Sequence, residues 1–182
     1  MRLDRRGWAL AAGVAAVAAV AGAGWSLWRQ RSVGADAASP NAADADALWS
    51  LSFDAPGGGR LAMATLRGQP LLLNFWATWC PPCLREMPTL DRFQRDFATN
   101  GWRVLGLAAD QPEPVRAYLA HTPVSYRIGL AGLDGIELAR RLGNSGGGLP
   151  FTAVFGRDGL LRQRHSGEVS RALLEAWAKG IG

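Results

Sequence analysis

One stretch of the sequence, in which an apolar run passes directly into an amphipathic pattern, constrains the fold most. Residues 71–76 are apolar apart from Asn74 and follow a Gly-Gln-Pro turn, the pattern of a central strand buried on both faces. Residues 83–99 then carry apolar side chains spaced three and four positions apart, at Leu84, Met87, Leu90, Phe93 and Phe97. That spacing predicts a helix with one apolar face.

The rest of the chain from residue 48 onward predicts further strands and helices. Short runs on either side of turn-forming residues predict two hairpins, residues 48–53 with 61–63 and residues 151–155 with 160–165. Another buried strand is predicted at residues 102–108, and three more helices at residues 113–120, 133–142 and 170–179. Because strands and helices alternate first and a hairpin comes late, we predict an α/β sandwich with a mixed sheet.

The N-terminal quarter has a different character. Residues 8–28 contain no charged side chain, and these 21 residues are enough for a helix to cross the hydrocarbon core of a membrane. Arginines flank the run, with a slight excess before it that favours a cytoplasmic N-terminus. We therefore expect one transmembrane helix that anchors the chain. A cleaved signal peptide and a buried core helix are the alternatives.

This pattern divides the chain into three parts. Residues 1–31 form the predicted membrane anchor. Residues 32–47 are rich in Ala, Ser, Asp and Pro without periodicity, which predicts a flexible linker. Residues 48–182 form a single predicted domain.

Charge and cysteine content exclude several classes of function. The net charge of +5 comes mostly from residues 1–31, which hold five arginines and one aspartate, so the domain is nearly neutral and lacks the basic surface of a nucleic-acid-binding protein. The two cysteines cannot form a disulfide framework or a four-cysteine zinc site. The sequence contains no nicotinamide or flavin motif, so we expect neither a cofactor nor a metal site.

The two cysteines, Cys80 and Cys83, lie where the buried strand gives way to the helix. The first turn of a helix directs unpaired N–H groups and the positive end of its dipole at such a position, which favours a thiolate. We expect Cys80 to attack a partner disulfide and Cys83 to resolve the mixed disulfide. Pro81 and Pro82 stiffen the loop, and proline is well accepted at a helix start. We expect both prolines to contact substrate.

The run Phe75-Trp76-Ala77-Thr78-Trp79-Cys80-Pro81-Pro82-Cys83, followed by Glu86-Met87-Pro88, resembles the thioredoxin superfamily. Within it, the chain is similar to the membrane-anchored, periplasm-facing reductases of the TlpA/ResA/CcmG type. The resemblance implies a thioredoxin-like sandwich with an N-terminal β-hairpin extension. The segment Gly148-Leu149-Pro150-Phe151-Thr152 also matches the family, which implies that Pro150 is a cis-proline facing the cysteines and that the backbone of Leu149 pairs with an extended substrate strand. Spacing alone favours an ordinary trans proline at this position.

Three residues near the pair have open interpretations. Many thioredoxins carry a buried acid at the position of Asn74, and an amide cannot accept a proton. Glu86 lies one helical turn after Cys83 and is the candidate to take the place of that buried acid as proton acceptor. The alternative is that Glu86 is a solvated surface residue. Trp79 either covers the site and contacts substrate or packs into the core.

We therefore expect a protein disulfide oxidoreductase. The leading hypothesis is a periplasmic disulfide reductase for client proteins, such as apocytochrome c or a copper-handling protein, with a membrane thiol as electron donor. The alternatives are a disulfide-donating oxidase, a peroxiredoxin-like peroxidase and a copper chaperone that uses His165. The peroxiredoxin-like peroxidase lacks support. Its P-x-x-x-T-x-x-C motif requires proline and threonine before the attacking cysteine, and Leu73 and Ala77 occupy those positions before Cys80.

Overall fold

The computed structural model describes residues 42–181. Its helices are α1 (Ala42–Ser50), α2 (Pro81–Phe97), α3 (Pro112–His121), α4 (Asp134–Arg141) and α5 (Arg171–Ile181). Its strands are β1 (Ser52–Asp54), β2 (Arg60–Ala62), β3 (Leu71–Trp76), β4 (Arg103–Ala108), β5 (Arg127–Leu130), β6 (Phe151–Phe155) and β7 (Leu161–Ser166). Two short 3-10 helices, Met63–Leu66 and Ala98–Asn100, follow β2 and α2.

The seven strands form one mixed sheet in the order β2-β1-β5-β4-β3-β6-β7. Strands β3, β4 and β5 are parallel, as expected when helices connect them, whereas β6 and β7 form an antiparallel hairpin on one side. The β1–β2 hairpin pairs with β5 on the other side. The prediction of an α/β thioredoxin-like sandwich with a mixed sheet and an N-terminal hairpin is thus confirmed.

Strand β3 is buried on both faces because helices cover both sides of the sheet. Leu72 and Trp76 point into one apolar cluster, which contains residues of α2, α3 and α5. Leu71, Leu73 and Phe75 point into a second cluster with residues of α1 and α4. All six residues of β3 are buried, which explains why its sequence lacks the alternation of a half-exposed strand.

Helix α1 was not predicted. It occupies positions expected to form the end of the flexible linker and the start of a strand. Leu48 and Trp49 are buried in the second cluster. The ring of Trp49 packs edge-on against Phe155 at 5.5 Å, and its Nε1 donates to the carbonyl of Gly159 at 3.1 Å. These contacts come from the distant β6–β7 hairpin, so the local sequence pattern could not reveal them.

Strand β5 was also missed, because it has only four residues and begins with the exposed Arg127. Most other elements agree with their predictions to within about two residues, as is normal for helix and strand ends. Within residues 42–181, none of the helices has the length and apolar character needed to cross a bilayer. The predicted span at residues 8–28 lies outside the described part, so the anchor and its boundaries stay predictions.

Candidate redox site

The two cysteines lie at the carboxyl end of β3, where the chain turns into α2. Cys80 is the N-cap of α2, and its Sγ accepts a hydrogen bond from the backbone N–H of Cys83 at 3.3 Å. The two residues form a disulfide with their Cα atoms 5.3 Å apart. This arrangement directs the amino end of a helix at the sulfur of Cys80, where it stabilises negative charge.

The two sulfur-bearing side chains differ in access. Cys80 is 4% exposed, whereas Cys83 is fully buried one turn further into the helix. Only Cys80 therefore offers a partner molecule any surface. This difference agrees with the predicted division between an attacking and a resolving cysteine, which itself stays a prediction.

The residues beside the pair border the exposed surface. Pro81 and Pro82 occupy the first two positions of α2, where the missing N–H groups cost no helical hydrogen bond; Pro81 is exposed and Pro82 half-buried. Trp79 is 59% exposed. Core packing, one of its two interpretations, is therefore wrong, and its predicted role in binding substrate remains a prediction.

A residue that sequence reasoning missed, Asp110, holds the loop that carries Cys80. Strands β3 and β4 end side by side, and the N–H of Ala109 donates to the carbonyl of Trp76 at 2.8 Å. Asp110, the next residue, is buried and accepts hydrogen bonds from the backbone N–H of Thr78 at 2.9 Å and from its hydroxyl. Its other oxygen accepts from the N–H of Gln111 at 2.7 Å. An aspartate two residues after a buried parallel strand was the available signal.

Glu86 lies one helical turn after Cys83 on α2 and is 1% exposed, so the surface interpretation is wrong. Its Oε1 accepts from the side-chain amide of Asn74 at 2.7 Å, and its Oε2 accepts from the backbone N–H of Val169 at 2.8 Å. Burial raises the pKa of the Glu86 carboxyl to about 7, although these two hydrogen bonds oppose the shift. The nearby Glu168 raises it slightly further. Glu86 can therefore exchange a proton near neutral pH.

Asn74 connects Glu86 to the neighbouring strand. Its amide nitrogen donates both to Glu86 and to the hydroxyl of Thr152, at 3.1 Å. Its carbonyl oxygen is buried and has no hydrogen-bond partner. Because an amide offers a donor and an acceptor on opposite sides, rotation of its side chain by half a turn would allow it to accept a hydrogen bond from neutral Glu86. The Asn74 amide can thus match either charge state of the carboxyl.

The segment before β6 lies beside the same end of β3. The Leu149–Pro150 peptide is cis, as predicted. Phe151 pairs with Phe75, so Leu149 and Pro150 lie just beyond the paired part of β6. The carbonyl of Pro150 accepts from the N–H of Gly167 at 2.9 Å, and the side-chain amide of Asn144 donates to the carbonyl of Gly148 at 2.8 Å. These bonds hold the segment against the sheet.

Two basic side chains of β7 contact neighbouring residues. Arg162 pairs with Asp158 in the β6–β7 turn. The ring of His165 packs edge-on against Trp177 with a centroid distance of 6.2 Å. Within residues 42–181, no group of three His, Cys, Asp or Glu side chains is arranged to hold a metal ion.

Comparison with known proteins agrees with this geometry. A family model described as Redoxin matches residues 37–176. The thiol:disulfide interchange protein DsbE of Escherichia coli is 33% identical over 131 residues, covering 71% of this chain and 67% of that protein. The thiol-disulfide oxidoreductase ResA of Bacillus anthracis is 29% identical over 131 residues, covering 68% of this chain and 70% of its own length.

Solved structures show the same fold. A thioredoxin-family thiol:disulfide interchange protein from Chlorobium tepidum TLS has a TM-score of 0.63 at 29% identity, covering 72% of this chain and 92% of its own. Because the family match spans most of the chain and contains the cysteine pair at its strand-to-helix junction, the chain belongs to the Redoxin family and is a thiol–disulfide oxidoreductase.

Proposed function

We propose that the protein is a reductase that passes electrons from the Cys80–Cys83 dithiol to disulfides of client proteins. The observation that carries the exchange cycle is the buried carboxyl of Glu86, one helical turn from Cys83, with a pKa raised to about 7. A proton acceptor of this kind assists a second cysteine that must become a thiolate to resolve a mixed disulfide. The reducing direction rests on the uncharged residues between the cysteines.

The proposed cycle balances two electrons and two protons. The Cys80 thiolate attacks one sulfur of the client disulfide, and the other client sulfur leaves as a thiolate that takes up a proton. Glu86 accepts the proton of Cys83, whose thiolate then attacks the Cys80 sulfur and breaks its bond to the client. The second client sulfur leaves as a thiolate and takes up the proton that Glu86 holds. The protein is left with its disulfide, and the client leaves as a dithiol. A membrane thiol donor returns the protein disulfide to the dithiol by the same exchange in reverse.

The charges around the pair support a reducing direction. Oxidising thiol–disulfide proteins stabilise their thiolate strongly, so their reduced form is favoured over their disulfide form. Here Pro81 and Pro82, between the cysteines, carry no charge, and the helix amino end is the main stabilising feature.

We further propose that residues 1–31 anchor the domain in the bacterial inner membrane with its site facing the periplasm. The apolar run at residues 8–28 and the flanking arginines support this topology. In that compartment the clients include proteins whose cysteines must stay reduced for metal or haem attachment, such as apocytochrome c or a copper-handling protein.

The equilibrium potential of the Cys80–Cys83 couple tests the direction. We expect a value closer to the roughly −270 mV of thioredoxin than to the roughly −120 mV of the strongest known oxidant of this kind. The measurement is equilibration with glutathione or dithiothreitol buffers, with thiol trapping of each form. A value at the oxidising end would make the protein a disulfide donor instead.

Substitution of each cysteine tests the division of roles. Cys83→Ser should accumulate a mixed disulfide between Cys80 and a client such as insulin, because no thiolate remains to resolve it. Cys80→Ser should lose insulin reduction and trap nothing, since Cys83 is fully buried. Non-reducing gel electrophoresis distinguishes the two variants. Trapping by Cys80→Ser alone would reverse the assignment.

Glu86→Gln tests the proton acceptor. In the wild type, resolution by Cys83 should accelerate as the pH rises through about 7, where Glu86 loses its proton. The variant should lack this inflection and resolve about a hundredfold more slowly at pH 8, the low end of what a positioned acid–base group contributes. Rapid-quench analysis of a preformed mixed disulfide measures this step.

The fold should tolerate this substitution, because the Asn74 amide can rotate to accept from the new amide. Glu113→Gln, an exposed glutamate on α3, is the matched control and should resolve at the wild-type rate. Equal pH profiles for wild type and Glu86→Gln would assign Glu86 a purely structural role.

Accessibility of the cysteines tests the topology. In reduced intact cells whose outer membrane has been permeabilised, a membrane-impermeant maleimide should label Cys80. This result is expected because Cys80 is the only partly accessible thiol and the domain would face the periplasm. Labelling that requires disruption of the inner membrane would place the domain in the cytoplasm.

A further inference from the structure

A short connecting segment, residues 167–169, lies between the end of β7 and the start of α5. At one end, the N–H of Gly167 donates to the carbonyl of Pro150 at 2.9 Å. At the other end, the N–H of Val169 donates to Oε2 of Glu86 at 2.8 Å. This segment therefore contacts both the cis-proline and the buried carboxyl of the redox site.

An exposed ion pair lies directly beside the buried hydrogen bond of Glu86. Arg85, the residue before Glu86 on α2, donates from Nε and Nη2 to Oε2 of Glu168 at 3.2 and 3.0 Å. Glu168 is in turn the residue before Val169. Two neighbours on α2 are thus paired with two neighbours in the connecting segment, Arg85 with Glu168 at the surface and Glu86 with Val169 in the interior.

The donor that Glu86 receives belongs to the peptide that joins Glu168 to Val169. A trans peptide is planar and directs its N–H and its carbonyl to opposite sides, so the orientation of this one plane decides whether Glu86 has its donor. The carbonyl on the other side lies 3.4 Å from Nε2 of His165, which is long for a hydrogen bond. Arg85 makes the shorter contacts to this part of the chain.

The backbone before this peptide does not fix its orientation. Gly167 has a φ of 98°, in the left-handed region that glycine adopts readily, and a Cβ added there would meet no atom within 4 Å. Val169 is held on the far side by its buried side chain, which is 3% exposed. Burial fixes the position of Val169, whereas the contact of the preceding residue with Arg85 fixes the direction of the N–H.

We propose that Arg85 and Glu168 are positioning residues of the redox site, whose ion pair orients the connecting segment so that Glu86 keeps its backbone donor. This inference rests on the proposed function, in which Glu86 is the proton acceptor. An exposed ion pair contributes little to the free energy of unfolding. Its effect is therefore expected at the neighbouring carboxyl and not in the stability of the fold.

Loss of the Val169 donor has a definite effect on Glu86. That hydrogen bond favours the carboxylate, so its loss raises the pKa of Glu86. The negative charge of Glu168 also raises the pKa of Glu86, so removal of this charge alone would lower it. Burial, aided by the charge of Glu86, raises the pKa of Tyr126. Tyr126 and His165 stay the same in every variant below.

The test is the double variant Arg85→Gln/Glu168→Gln. Because it removes one positive and one negative charge, the direct effects of these charges on Glu86 oppose each other. In the oxidised full chain in detergent micelles, NMR should show the titration midpoint of the Glu86 carboxyl about half a pH unit higher than in the wild type. Exchange of the Val169 amide hydrogen with solvent should be about fivefold faster.

A charge swap and a matched pair supply the controls. Arg85→Glu/Glu168→Arg restores an ion pair and should return Val169 exchange to the wild-type rate. Arg140→Gln/Glu137→Gln removes an exposed arginine–glutamate pair on α4 and should change neither measurement. The proposal would be overturned by a wild-type midpoint or exchange rate in the first double variant, by a swap that does not restore exchange, or by an equal change in the α4 control.

Resolution of a preformed mixed disulfide separates this proposal from the proposed function. If Glu86 is the proton acceptor, the inflection in the pH profile of resolution should move upward in Arg85→Gln/Glu168→Gln by the same half unit or so as the NMR midpoint, with the limiting rate at high pH unchanged. A wild type without any inflection would refute the role of Glu86 as acceptor. The NMR midpoint and Val169 exchange would still decide the positioning role, because they require no reaction.

Discussion

Burial of the Glu86 carboxyl connects the elements that surround the disulfide. A carboxyl group inside a protein needs a hydrogen-bond donor for each oxygen, since an unsatisfied buried oxygen is costly. Here Asn74 of β3 and the backbone N–H of Val169, before α5, supply one donor each. Thr152 of β6 holds Asn74 in turn. Strand β3, helix α2, strand β6 and the segment before α5 therefore converge on one group.

This convergence has a chemical consequence. Desolvation disfavours the ionised carboxylate, whereas the two donors favour it, and desolvation is the larger effect. The resulting pKa of about 7 lies in the neutral range. A more exposed glutamate would be ionised throughout, and one without donors would stay neutral. The hydrogen bonds from Asn74 and Val169 thus lower the pKa of Glu86 into the pH range in which cysteine exchange occurs.

The disulfide has buried groups on one side and the exposed side chain of Trp79 on the other. Cys83 faces the buried side, together with Glu86, whereas Cys80 borders the surface next to Trp79. Asp110 keeps the intervening loop in place by accepting both hydrogen bonds of Thr78. In the proposed cycle, client contact and proton transfer therefore take place on opposite sides of the pair of sulfurs.

The sequence alone determined the parts of this protein that depend on local patterns. Strand β3 and helix α2 follow from apolar spacing, and the position of Cys80 and Cys83 between them follows from their order along the chain. The cis peptide at Pro150 was predicted from the resemblance of its segment to a known family.

Only the tertiary structure decided which groups those elements bring together. Glu86 could equally have been a solvated glutamate, because its helix position does not reveal that Val169, 83 residues away, supplies a buried donor. The link between Asp110 and Thr78 spans 32 residues, and helix α1 is held by a carbonyl 110 residues from Trp49. Desolvation and hydrogen bonding depend on everything packed around a group, and segments distant in sequence supply most of those atoms.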